Sequence, residues 1–139
     1  MPQGDLVDTG ALLAVVDVRD EWHEICLEVF QEASLPLVTT TAVLAEMFYF
    51  ASKVGGLTRR AWEFIRSSGI TIAPITDADL PSLDALMLRY ADRPMDFADA
   101  TLVHVAERQG LRTILTIDHA DFETYRIGRN AKFRILPAR

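Results

Sequence analysis

The chain carries a single cysteine, Cys26, among 139 residues. One thiol excludes an internal disulfide and any cysteine cluster for zinc. Positive charge is also scarce: 14 Lys and Arg stand against 20 Asp and Glu, giving a formal net charge of -6 and a pI near 5.0. That argues against a large, uniformly basic nucleic-acid footprint, although a local basic strip beside an acidic site remains open. No long hydrophobic run is present. The longest tempting stretch, Ala33 to Ala45, contains Pro36 and Thr39, Thr40 and Thr41, and falls short of the ~20 apolar residues of a spanning helix. The opening MPQGDLVDTG has neither a basic n-region nor an apolar h-region, so no signal peptide is expected. A soluble, cytoplasmic protein with no membrane association is the expectation. GxGxxG and GxxxxGK[ST] are missing, which leaves dinucleotide and P-loop sites without support. GxSxG is missing too, and with it the serine of an α/β hydrolase. There is no internal repeat, low-complexity tract or linker.

What is there is apolar and orderly. Half the residues are hydrophobic, and a chain of this length buries roughly 68% of its unfolded surface, so residues 1–139 are read as one domain. The chain alternates between short β-rich segments and helical ones. Leu6 and Val7 end a first strand read as Asp5 to Asp8, and ALLAVV (Ala11 to Val16) is helical. Asp20 to Ala33 is amphipathic, with His23 expected on its solvated face. Leu37 to Thr40 is a second strand, and one of Thr39, Thr40 and Thr41 caps the helix from Ala42 to about Lys53. After Gly55 and Gly56, a helix from Leu57 to Ser68, capped at Thr58, shows Arg59, Arg60 and Arg66 to solvent. Ile70 to Ile75 is a third strand, and Asp77 or Asp79 caps a helix that tolerates Pro81 in its first turn. A helix from Phe97 to Gln109 ends at Gly110, Thr113 to Ile117 is the fourth strand, Phe122 to Tyr125 forms a helical turn, and Phe133 to Leu136 is the fifth strand. Alternating strands and helices imply a parallel sheet covered on both faces.

Carboxylates stand where such a sheet binds ligands, outside the carboxyl ends of its strands. Asp8 follows strand one and Asp118 follows strand four. Asp99 lies in the first turn of the helix that feeds strand four. Glu46 is the only charged residue between Glu32 and Lys53, set in AVLAEMFYFA, where an unpaired carboxylate is costly. Each acid also has a plain structural reading. Asp8 suits a helix N-cap, Asp96 caps the helix whose N3 position is Asp99, Asp121 suits a turn or cap, and Glu46 fits a narrow polar stripe with Tyr49 and Lys53. Convergence of four acids on one edge is the stronger signal. Like charges in a small volume raise one another's pKa unless a cation joins them. Oxygen-only donors favour Mg²⁺ or Mn²⁺ over zinc. Such an ion lowers the pKa of a water it holds and stabilises charge on phosphate, which is the chemistry of phosphodiester hydrolysis. Thr9 and Thr116 stand beside Asp8 and Asp118, placed to hydrogen-bond these carboxylates. His104 and His119 lack ligand partners in sequence, and His119, next to Asp118, is a candidate for touching substrate. The acid-free tail of Arg126, Arg129, Lys132, Arg134 and Arg139 offers phosphate contacts, with Arg126, Arg129 and Lys132 as the candidates.

These residues resemble the PIN-domain ribonucleases, and among them the VapC-type toxins of bacterial toxin–antitoxin pairs. LVDTGALLA is similar to the family's first motif, with Asp8 as first acid. Glu46 in AVLAEMFY matches the second acid. MDFADATLVHVAERQG resembles the third motif, making Asp99 the third acid, and ILTIDHADF the last, making Asp118 the fourth. The resemblance spans nearly the whole chain. It implies a three-layer α/β/α domain with five parallel strands in the order 3-2-1-4-5. It implies Mg²⁺- or Mn²⁺-dependent RNA cleavage by Asp8, Glu46, Asp99 and Asp118, with Asp96 as a further ligand or a cap. It also implies a homodimer and inhibition by an antitoxin segment that enters the active-site groove. A non-catalytic PIN-fold module that binds RNA or protein is the rival reading, although it has no use for four costly carboxylates. A receiver-like phosphate acceptor is a second rival, but Lys132 is the only late lysine and Glu46 would have no role there.

Overall fold

A computed structural model describes residues 4–93 and 95–138. Pro94 and Arg139, and the first three residues of the leader reading, lie outside them. Five strands form one all-parallel sheet in the order β3-β2-β1-β4-β5. They are β1 (Asp5–Val7), β2 (Leu37–Thr39), β3 (Thr71–Ile72), β4 (Thr113–Leu115) and β5 (Arg134–Leu136). The helices are α1 (Thr9–Val16), α2 (His23–Glu32), α3 (Thr41–Ala51), α4 (Leu57–Ser67), α5 (Leu80–Arg89), α6 (Phe97–Gln109) and α7 (His119–Thr124). This is the expected architecture and strand order.

β1 is central, flanked by β2 and β4 with Leu6 level with Val38 and Ile114. Both faces of β1 are covered, so Leu6 and Val7 are fully buried, as a two-sided parallel strand requires. From β1 the connections step outward to β2 and β3, then return past β1 to β4 and β5. Parallel crossovers are right-handed, so this reversal sends the two sets of helices to opposite faces. It also creates a switch point between the carboxyl ends of β1 and β4, where open α/β sheets bind ligands. Six of the eight residues of α1 are buried, and it packs on α2, α3 and α4. α6 packs on α3 and α5 and buries Ala98, Ala100, Leu102, Val103, Val105 and Ala106, small residues that admit close approach. Gly10 serves the same closeness: a Cβ there would lie 2.7 Å from Ile117 Cγ1. Gly110 ends α6 in the left-handed region at φ 70°, where glycine is unstrained.

Several local expectations are corrected. The third strand pairs only over Thr71–Ile72, not Ile70 to Ile75. It lies at the sheet edge, and Pro74 has no N–H to continue the ladder. The first helix starts at Thr9 rather than Ala11, and the second at His23 rather than Asp20. α4 is not capped by Thr58; its N-cap is Gly56 at φ 80°, which lets Leu57 enter the helix and bury itself. Asp79 is the N-cap of α5, as expected, and with Thr76 it also closes a capping box around a short 3₁₀ turn, Asp77–Asp79. The last helix is longer than one turn and begins immediately after Asp118. His23 is not merely solvated: its Nδ1 donates to the Ala14 carbonyl at 2.7 Å, tying α2 to the end of α1.

Candidate active site

Three helix starts carry acids at the switch point. Asp8 is the N-cap of α1, Asp96 the N-cap of α6 and Asp118 the N-cap of α7. Asp99 lies one turn into α6, and α3 supplies Glu46. Asp8, Glu46, Asp96, Asp99 and Asp118 line one cleft of about 410 Å³, with Thr9, Gly10, Leu13, Phe50 and Ile117 completing its walls. Glu46 therefore does not run along a polar stripe toward Lys53; that ammonium sits 4.5 Å over the Tyr49 ring instead. Among the described residues, none of the five acids is in an ion pair.

Asp8 is 4% exposed and held at both oxygens. The Thr9 backbone N–H donates to Oδ1 at 2.8 Å and the Thr116 hydroxyl to Oδ2 at 3.0 Å. Thr116 also accepts the Asp118 backbone N–H at 2.9 Å, so one hydroxyl orients the Asp8 carboxylate and the turn carrying Asp118. The Thr9 side chain goes elsewhere, to the Val43 carbonyl at 3.5 Å, so Thr9 supports Asp8 through its backbone only. Asp96 caps α6 by accepting the Asp99 N–H at 2.7 Å. Asp99 is 6% exposed, and its Oδ2 accepts the Tyr125 hydroxyl at 2.8 Å.

Burial raises the Asp8 carboxyl from 3.8 to about 7, against the opposing Thr9 and Thr116 hydrogen bonds, and the charges of Asp118 and Glu46 add to the rise. Burial is again the main cause for Asp99, lifted to about 8 with Asp8 and Asp96 contributing. Asp118 is raised as well, by burial and then by Asp121. The Tyr125 hydroxyl is held far above its usual range by burial and by Asp99, so it remains a donor. Among the described residues, no three acid, His or Cys side chains are gathered into a ready-made cage. The donor set nevertheless fits a hard divalent ion: it is all carboxylate, it repels itself, and it leaves room for water. Mg²⁺ takes one or two carboxylates and keeps several waters, so it needs no closed cage.

Other predicted residues are placed differently. Arg126 wraps onto the carbonyls of Glu123, Thr124 and Tyr125 and so closes the end of α7. Arg129 and Lys132 are exposed but belong to the segment around the Ile127–Ala131 bridge that leads into the start of β5. That is the amino edge of the sheet, opposite the acids. His119 is 8% exposed, and its Nε2 donates to the Pro137 carbonyl at 2.7 Å. Asp121 faces Arg93 at 3.6 Å.

Sequence reasoning missed the residues that hold the frame. Thr39 donates to the Val7 carbonyl at 2.9 Å, joining the ends of β1 and β2. Thr40 and Thr101 share a buried hydrogen bond of 2.8 Å that pins the start of α3 to α6. Tyr125 was seen only as part of a turn, although a tyrosine among apolar neighbours demands a hydroxyl partner. Arg93, which pairs with Asp121, also donates to Thr124 Oγ1 at 2.7 Å and so holds α7 to the loop before α6.

A parallel sheet of this order with acids at its switch point defines a PIN-type domain. The chain belongs to the PIN domain family, whose pattern it matches over residues 6–128. It is 30% identical over 142 aligned positions to Ribonuclease VapC26 of Mycobacterium tuberculosis, an alignment covering 95% of this chain and 99% of that protein. The structure of VapC20 of the same organism, a toxin that cleaves the sarcin–ricin loop, is similar with a TM-score of 0.70 at 21% identity. That match covers 78% of this chain and 85% of that one. VapBC2 from Rickettsia felis, bound to a DNA fragment from its promoter, matches with a TM-score of 0.66 at 13% identity, over 95% and 98% of the two chains.

Proposed function

We propose that this chain is a metal-dependent endoribonuclease that hydrolyses RNA phosphodiester bonds as the toxin of a type II toxin–antitoxin pair. The observation that carries the reading is the single cleft lined by Asp8, Glu46, Asp96, Asp99 and Asp118, with Asp8 and Asp99 pushed up to about 7 and 8 and no cation of the described residues beside them. Membership of the PIN family and the 30% identity to a VapC ribonuclease support the activity.

Asp8, Glu46, Asp99 and Asp118 would hold Mg²⁺ or Mn²⁺, with Asp96 at the margin. When bound, such an ion supplies a water of lowered pKa and stabilises charge on the phosphate. The chain supplies position. Thr116 fixes the Asp8 carboxylate against the Asp118 turn, and Asp118, exposed at the head of α7, would orient the attacking water through its carboxylate. Three helix N-termini face the cleft, and their N–H dipoles favour a phosphate that enters with its counter-ion. Arg93, paired with Asp121 at 3.6 Å, is a further candidate for contacting phosphate beside Arg126, Arg129 and Lys132. The partners are an RNA substrate and a cognate antitoxin, the functional unit is a homodimer, and the setting is cytoplasmic. Among the described residues no helix is long and apolar enough to cross a membrane.

The test is Mg²⁺ binding by calorimetry alongside cleavage of a structured RNA, for wild type and Asp8→Asn. Both are expected to be lost in the variant while its circular dichroism is unchanged. Undiminished cleavage by Asp8→Asn would sink the reading.

A further inference from the structure

Asp99 has an asymmetric environment that the proposed chemistry leaves unused. Its Oδ2 accepts the Tyr125 hydroxyl at 2.8 Å. Its Oδ1 has no donor among the described residues, and it is not a sealed, unsatisfied atom. Tyr125 is held unusually firmly for a residue beside a cleft. It is 1% exposed, with Tyr90 and Phe122 each set edge-on to its ring at 5.2 Å. Phe122 in turn leans edge-on against Phe133 at 5.4 Å. The Tyr90 hydroxyl accepts the Arg126 backbone N–H at 2.9 Å, and the Arg126 guanidinium bonds the Tyr125 carbonyl at 3.0 Å. Ring and backbone are thus both fixed. A phenylalanine would fill the same space, so what the tyrosine adds is one O–H, and that O–H meets Asp99.

We propose that Tyr125 is a positioning residue that restricts Asp99 to ligation through one oxygen and thereby sets a preference for Mg²⁺ over Ca²⁺. The inference rests on the metallonuclease reading above. Its physical basis is the difference between the two ions. Ca²⁺ takes 6–8 oxygens at about 2.3–2.6 Å and readily accepts a carboxylate through both oxygens. Mg²⁺ demands an octahedron at about 2.0–2.1 Å and suits single-oxygen carboxylates completed by water. A two-oxygen grip by Asp99 requires its carboxylate to rotate until both atoms face the ion. The hydrogen bond from a ring that cannot move opposes that rotation and occupies a lone pair of Oδ2.

The measurement is calorimetric affinity for Mg²⁺ and for Ca²⁺, taken separately, on wild type, Tyr125→Phe and Asp8→Asn. In Tyr125→Phe, Mg²⁺ affinity is expected to fall about 10-fold, the scale for losing a group that orients a ligand. Ca²⁺ affinity is expected to hold or rise, so the Mg²⁺-over-Ca²⁺ ratio drops. In RNA cleavage kcat should fall and KM should not. Equal loss for both ions, or no change for either, overturns the inference, since a merely structural tyrosine would not move the ratio. Asp8→Asn separates the two failures. If it abolishes Mg²⁺ binding while Tyr125→Phe matches wild type, the Tyr125 role alone is wrong. If Asp8→Asn binds Mg²⁺ as wild type does, the site reading falls and takes this inference with it. Should Tyr125→Phe fail to fold, ζ-¹³C-tyrosine spectra of the wild type decide. Mg²⁺ is expected to shift the Tyr125 resonance and leave that of exposed Tyr49, and a Tyr125 signal that stays in place refutes the role.

Discussion

Asp79 and Asp99 are both aspartates near the start of a helix, on α5 and α6, two helices that pack against each other. Their carboxyl groups stand at opposite ends of the scale, at about 2 and about 8. Asp79 is held low first by the Thr76 backbone N–H, then by His104 and Arg108. His104 Nε2 lies 2.8 Å and Arg108 Nη1 3.1 Å from its Oδ1, and Arg108 also reaches the Pro74 carbonyl at 2.9 Å. Asp99 is raised by burial and by Asp8 and Asp96, with one tyrosine hydroxyl in opposition. The first environment is complete: every charge has its counterpart, and the result is a clasp between the end of β3, the start of α5 and the last turns of α6. Among the described residues, the second is given no cation. Helix starts attract acids in both places, so it is the neighbouring charge that separates the compensated acid from the uncompensated one.

The largest way to break this contrast is Asp8→Asn. Cleavage is expected to fall on the order of 1,000-fold, because a lost metal ligand forfeits several kcal/mol of charge stabilisation. A multiple-turnover assay with structured RNA checks it, with circular dichroism as the fold control.

Stability against pH sharpens the contrast, because the two regions have opposite signs. Asp8 binds its proton more tightly folded than unfolded, so its contribution is fully present below 3.8 and is lost as pH rises through about 7. That displacement corresponds to about 4 kcal/mol at most. Without divalent ions, thermal unfolding of the wild type is therefore expected to move to lower temperature between pH 4 and pH 8. Asp8→Asn should reduce the slope, and saturating Mg²⁺ should oppose it by binding the folded state. Asp99 in the same cleft carries a slope of the same sign, so a wild-type slope that survives in full in both Asp8→Asn and Asp99→Asn would contradict the assignment of the strain to this cleft.

Asp79 acts the other way. Its carboxyl is depressed, so its contribution is present above 3.8 and lost as pH falls toward about 2. Asp79→Asn is expected to lower the melting temperature near pH 7 and to leave metal affinity and cleavage alone. Acid-limb melting curves and calorimetry on the same preparation would show it.

The smallest effect is at Arg93. Its ion pair with Asp121 is half-exposed, and such pairs contribute about 0–1 kcal/mol to stability. Arg93→Ala is expected to raise KM for RNA severalfold with kcat and melting temperature nearly unchanged. A rise in KM from Lys132→Ala equal to that from Arg93→Ala would return the phosphate contact to the basic tail.

Much of the frame was legible in the sequence because parallel strands announce themselves. Leu6-Val7, Leu37-Val38 and Ile114-Leu115 are short apolar runs buried on both faces, and helices with clear caps separate them. Thr40, one of three candidate caps, is the N-cap that accepts the Val43 N–H at 3.3 Å. Asp96 caps α6 as its spacing to Asp99 suggested. Thr58 and the Ile70–Ile75 strand were misjudged because propensity does not record where a left-handed glycine or an edge position ends pairing. In the sequence, His23 and His104 find no partner, and His119 only a place beside Asp118. Each proves to be bonded across the fold, to Ala14, Asp79 and Pro137, at sequence distances that no local pattern reports.

The sequence by itself determined which residue types could do chemistry and the order in which they occur. Oxygen donors only, no paired histidines, and acids after the first and fourth strands point to a hard divalent ion as the group such a site would take. Tertiary structure decided which acids meet. The return of the chain past β1 brings Asp118 beside Asp8 from 110 positions away in the numbering of one sheet edge, through a Thr116 bond that local spacing does not reveal. It also decided which acids are neutralised, giving Asp79 a histidine and an arginine and giving Asp99 only Tyr125. The reason is physical: propensity and capping act within a turn or two of helix, whereas burial and charge act through space and depend on what folding places alongside.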